Sequence, residues 1–90
     1  VPGVSGGDRF AWDPNKDARN RRKHGVGFAE AASAFSDPLS LTIADAAHSL
    51  TEERFLLLGR SRDGRLLVVS HTDDGRTIRL ISARPATPRE

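Results

Sequence analysis

The side chains here with chemistry to offer are three histidines and a surplus of arginine. His24, His48 and His71 fall in separate parts of the chain, without the short pair spacing that zinc ligands need. Cysteine is absent, which excludes disulfides and thiolate ligands. Gly25-x-Gly27 is too short for a phosphate-cradling loop, and no GxSxG nucleophile elbow occurs. No metal site and no cofactor is expected. What remains is general acid–base work by imidazole, with charge stabilised by Arg and Lys.

Such a set cleaves RNA without a metal. A base takes the 2′-hydroxyl proton, fixed cations meet the charge on the phosphorane oxygens, and an acid protonates the 5′-oxygen. His71, late in a strand, is the candidate acid or base, since imidazole exchanges protons near neutral pH. Arg79 inside the last strand, Arg84 at its end and Arg60 at the end of an earlier strand are the candidate catalytic cations. Arg22, Lys23 and His24 at a helix end are candidates for holding RNA, and Trp12 for stacking on a base. Each has a structural alternative: His71 satisfied by a backbone carbonyl at a strand edge, Arg79 on a solvated face, Trp12 in the core. For Lys23 and His24 the alternative is compensation of a helix dipole. Glu52 and Glu53 read as surface charges.

Composition is compatible with a polyanionic or acidic partner, and its structural alternative is a mild positive charge that serves solubility alone. The formal net charge is +2 and the pI about 9.9. Only Lys16 and Lys23 of the 14 basic residues are lysine, and arginine's planar fork suits phosphate and carboxylate better than an ammonium does. The 90 residues suit one domain, burying about 60–65% of the unfolded surface. No apolar run approaches the ~18 residues of a membrane span, and the first residues show no charged-then-apolar pattern.

The elements that must position these residues follow from local pattern. Residues 1–8, with three glycines and a proline, read as a flexible leader. Phe10 and Trp12 alternate with Arg9 and Ala11 as a short strand. Asp13-Pro14 starts a helix running to His24, where Gly25 supplies a left-handed cap. Along it Lys16, Arg19, Asn20 and Lys23 form one polar, mainly basic stripe. The stretch Arg21 to Gly27 is thus a basic helix end, a turn and the start of a second helix. Phe28, Ala31, Ala32 and Phe35 give that second helix its apolar stripe, and Asp37-Pro38 ends it. From Leu39 the period becomes two. Strands are expected at Leu39–Ala44, Arg54–Arg60, Leu66–Thr72 and Thr77–Ala83, with turns at Asp63-Gly64 and Asp74-Gly75. Asp45 to Thr51 is a loop holding His48, and 85–90 is an irregular tail. The expected architecture is α+β: a short first strand, two helices, then a four-stranded antiparallel meander with the helices on one face. The other face is left partly open for arginines to meet a polyanion.

The motifs occur in a family's order. Phe10-Ala-Trp-Asp-Pro-Asn-Lys16, Asn20-Arg-Arg-Lys-His-Gly-Val26, Phe28-Ala-Glu-Ala-Ala32 and Phe35-Ser-Asp-Pro38 resemble the BrnT toxins. Glu53-Arg-Phe55, Gly59-Arg-Ser61, Leu67 to Thr72 and Ile78 to Arg84 continue the match, so that it covers residues 9–84 as a single domain. The resemblance implies a RelE-like fold, RNA cleavage that inhibits translation in the cytoplasm, and neutralisation by a BrnA-type antitoxin. Operator DNA would be met only through that antitoxin. Family members usually carry a more basic helical tail where Pro85 and Pro88 stand here. The rival expectation is a non-catalytic module that grips nucleic acid or an acidic protein through the same arginines.

Overall fold

The computed structural model describes residues 9–90, and the expected leader lies outside the described residues. Helix α1 spans Pro14–His24 as its end signals require. Asp13 is extended, its carboxylate accepts from the Asn15 N–H at 2.8 Å, and Pro14 fills the first turn. At the other end Gly25 has φ 71°, and its N–H closes on the Arg21 carbonyl at 2.9 Å. Only glycine adopts that backbone without cost. Helix α2 is shorter than its stripe suggests. It covers Phe28–Ser33 and tightens into a 3₁₀ turn at Ala34–Ser36 before Asp37-Pro38.

The sheet corrects the expected architecture. It has five strands, ordered β1-β5-β4-β3-β2, and it is mixed. Strands β2 (Leu41–Ala44), β3 (Phe55–Arg60), β4 (Leu66–Asp73) and β5 (Ile78–Pro85) form the antiparallel meander. The two-residue β1 (Phe10–Ala11) adds to the outer edge of β5 in parallel. The meander leaves that edge free, and α1 starts immediately beyond β1, so the chain lays one short strand there before turning into the helix.

Past β1, α1 takes over the β5 edge. Asn20, in the middle of the basic stripe, is buried. Its amide donates to the Ala83 carbonyl at 2.7 Å and accepts from the Ala83 N–H at 3.1 Å, as a neighbouring strand would. It also donates to the Val26 carbonyl at 2.8 Å, so one side chain fixes the helix and the turn after it to the sheet.

The core lies between the helices and one sheet face, built from Val26, Phe28, Ala31 and Ala34 against Leu57, Leu67, Val69 and Leu80. Trp12 belongs to it, edge-on to Phe28 with centroids 6.3 Å apart. Gly59 lets the 3₁₀ turn approach β3, since a Cβ there would stand 2.8 Å from the Ala34 carbonyl oxygen. Glu30, also buried, receives Arg65 Nε at 2.9 Å and Ser61 Oγ at 2.8 Å. Arg65 in turn donates to the Gly25 carbonyl at 2.9 Å, tying the β3–β4 hairpin to α2 and to the α1 cap. These bonds, Arg65's first, hold the Glu30 carboxyl below the usual range.

Candidate nucleic-acid interface

Residues two apart on a regular strand share a face, so Arg79 and Arg84, five apart, belong on opposite faces of an unbroken β5. The structure puts them on one face. Ser82 pairs with Ser70 but Leu80 pairs with His71, which leaves Ile81 as an extra residue in a bulge. Arg84 therefore stands opposite Val68 and Arg79 opposite Thr72, both on the face away from the helices. Bulges of this kind re-aim side chains beside functional sites.

On that open face a cavity of about 330 Å³ is lined by His24, His48, Asp45, Arg54, Arg84, Ser70 and Ser82, with Leu56, Val68 and Ile81 as its apolar wall. His24 reaches it from the last turn of α1. His48 and Asp45 come from the loop after β2, where a 3₁₀ turn at Ala46–His48 folds the imidazole back. His48 Nδ1 lies 2.9 Å from Asp45 Oδ2. An Nδ1–H donated to that carboxylate leaves Nε2 as an acceptor. Arg54 approaches Glu52 only to 3.8 Å, and its Nε is buried without a partner. An unsatisfied cationic donor is costly unless a ligand oxygen meets it.

A second, shallower depression of about 340 Å³ shares His24, Ile81 and Ser82 with this cavity and adds Lys16, Arg19, Asn20 and Lys23. The basic stripe of α1 thus leads into the histidine cavity, a continuous positive track of the sort that follows a phosphate backbone.

The remaining arginines are engaged locally. Arg84 makes two parallel bonds to Glu90, at 2.7 and 2.6 Å. Glu90 also accepts from the Thr87 N–H at 2.8 Å and from its hydroxyl at 3.1 Å, which closes the tail into a tight turn. Arg84 above all, and then Thr87, pull the Glu90 carboxyl down to about 2. Arg79 Nη2 grips both Glu52 oxygens, at 2.6 and 2.7 Å, and does not line the cavity. Arg60 turns back to the Gly64 carbonyl at 2.8 Å and does not line the cavity. Arg22 is exposed on α1 and also outside it.

Two residues picked from the sequence lie away from this face. Trp12 is 8% exposed, so neither side of its ring is open to a base. His71 is 3% exposed and faces the helices. It sits edge-on to Phe35 with centroids 4.8 Å apart and near Phe55 at 5.9 Å. Its Nδ1–H donates to the Val69 carbonyl at 3.1 Å, and burial pushes its pKa down, favouring the neutral ring. The structure thus separates His71 from Arg79 and Arg84. His48 and Arg54, absent from the sequence selection, take its place. The signal for them was faint: a histidine three residues after an aspartate, and an arginine opening an apolar strand.

Among the described residues no group of three His, Asp or Glu side chains is placed to hold a metal, and no helix is long and apolar enough to cross a membrane. An α+β domain whose open sheet face gathers two imidazoles and two guanidiniums at the end of a basic groove is of the class that handles nucleic acid. The sequence model for the BrnT ribonuclease toxin of type II toxin–antitoxin systems matches residues 12–90, and the chain belongs to that family. The 1.1 Å crystal structure of the Brucella abortus ribonuclease toxin BrnT has the same fold, with a TM-score of 0.67 at 23% identity. The likeness covers 88% of this chain and 96% of that one. No curated protein matches the sequence.

Proposed function

We propose that this toxin is a metal-independent endoribonuclease whose reaction takes place in the His24–His48 cavity. The observation that carries the reading is the convergence there of two imidazoles and the Arg54 and Arg84 guanidiniums, at the end of the α1 basic groove. His48, oriented through Nδ1 by Asp45, takes the 2′-hydroxyl proton on Nε2. The 2′-oxygen then bonds to phosphorus as the bond from phosphorus to the 5′-oxygen breaks, and His24 delivers a proton to that oxygen. The products are a 2′,3′-cyclic phosphate and a 5′-hydroxyl. Arg54 Nε, lacking a partner, and Arg84, once released from Glu90, meet the phosphorane charge. Arg79 adds positive charge to the same sheet face, while Lys16, Arg19 and Lys23 hold the flanking strand.

Cleaved RNA stops translation in the cytoplasm. The partner fitting this family is a BrnA-type antitoxin that binds operator DNA, so that the toxin meets DNA only through it. Residues 9–84 serve as the single catalytic domain. The test is RNA cleavage in excess EDTA by purified protein and by His24→Ala and His48→Ala variants. Loss of one proton carrier lowers the rate about 10²–10⁴-fold. Intact RNA with wild-type protein, or full activity in both variants, overturns the reading in favour of a binding module.

A further inference from the structure

The open sheet face continues beyond the histidine cavity as an apolar strip. Leu41 and Ile43 on β2 are 65% and 62% exposed. With Leu56, Leu58 and Val68 they line a hollow of about 270 Å³, and Glu90 closes its far side. The pairing register sets these side chains in rows across the sheet, Leu41 beside Leu58 beside Val68, then Arg84. Three strands are about 10 Å from first to last, the width of one helix. Large exposed aliphatic side chains gathered in one concave strip mark a surface that is covered in the working state.

The rim of this strip shows what kind of group it accepts. At the Arg84 end it already holds a carboxylate, that of Glu90, on two short hydrogen bonds. Leu56 and Val68 line both the strip and the histidine cavity. Anything seated on the strip therefore stands against the catalytic opening. We infer that the strip is the docking surface for the antitoxin. The occupying segment is an amphipathic helix with apolar residues at i, i+3 or i+4 and i+7, and a carboxylate at its edge that replaces Glu90 on Arg84. Neutralisation follows from geometry: the helix covers the apolar wall of the cavity and occupies the cation that otherwise meets the phosphorane. This rests on the reading of the cavity as the catalytic site, and its test is arranged to keep the two apart.

The experiment uses the full chain co-expressed with the antitoxin of its own operon. Complex formation is measured by titration and RNA cleavage with and without antitoxin. Leu41→Asp/Ile43→Asp is expected to weaken the complex at least 100-fold while free toxin still cleaves RNA, and the cleavage then resists antitoxin. Leu50→Asp, at a 93% exposed position in the loop, leaves affinity within twofold. His24→Ala lowers cleavage about 10²–10⁴-fold and keeps the complex, so a failure of the catalytic reading appears there alone. Should the double variant not fold, hydrogen exchange on the wild-type complex reads the same surface: slowed exchange in β2 and β3 supports the inference. Unchanged affinity in the folded double variant, protection confined to the outer face of α1, or a toxin homodimer that seals the strip and excludes antitoxin each overturns it.

Discussion

Removing the Asn20 amide tests how this toxin holds its cavity together. Asn20→Ala deletes three buried hydrogen bonds, to the Val26 carbonyl and to both backbone groups of Ala83. A typical bond contributes about 1 kcal/mol net, so the expected loss is about 3 kcal/mol. A domain of this size has about 5–15 kcal/mol in all, so Tm should fall by about 12–24 °C at about 4–8 °C per kcal/mol. Urea unfolding followed by Trp12 fluorescence suits the measurement, since that residue is the only tryptophan and lies in the core. Asn20→Asp is the sharper variant. It keeps the shape but turns a carboxylate toward two carbonyls. Burial and those carbonyls raise the introduced group's pKa in the folded state. The native state then binds more protons than the unfolded one, and stability falls as pH rises from 4 to 7 (about one proton's worth of linkage). A loss below about 1 kcal/mol in Asn20→Ala, within the range of ordinary surface changes, or a pH-flat Asn20→Asp, would refute the role given to this amide.

Three further outcomes are expected. Burial, above all, pushes the folded pKa of His71 below the ordinary imidazole value of 6.5. The unfolded chain therefore takes up the proton first, and stability drops as pH falls below 6.5 toward the depressed value; His71→Phe should flatten that limb of a pH–stability curve without abolishing RNA cleavage. Gly59→Ala forces a Cβ to within 2.8 Å of the Ala34 carbonyl oxygen and should cost about 1–3 kcal/mol in denaturant titration. Replacing Lys16, Arg19 and Lys23 together by alanine should flatten the dependence of log K for single-stranded RNA on log salt by about 2, at about 0.7 per phosphate contact.

Both helix ends were legible in the sequence because their causes are local: Asp13-Pro14 at one end, Gly25 at the other. The meander was legible too, from alternation and two Asp/Gly turns. The partner of β1 was not, because parallel pairing with Ile78 and Arg79 joins distant stretches and leaves no periodic trace. Asn20 sat in a stripe of cations and read as solvated, yet a single amide can imitate a strand wherever a helix crosses a sheet edge. His71 was harder still. Leu66 to Val69 are apolar on both faces of β4, which erases the alternation that tells one face from the other. His48 lay in a loop without periodicity, and its place in the cavity comes from its bond to Asp45 and the fold of the loop.

The β5 bulge also has a consequence for how the sheet finds its alignment. An unbroken hairpin can slip by two residues and keep every side chain on its own face. With Ile81 as the surplus residue between Leu80 and Ser82, such a slip carries the irregularity with it. Ala83, which must meet the Asn20 amide, would then stand at the wrong height beside α1. The hairpin and the helix therefore accept one alignment only, and an irregular strand makes the assembled cavity single-valued.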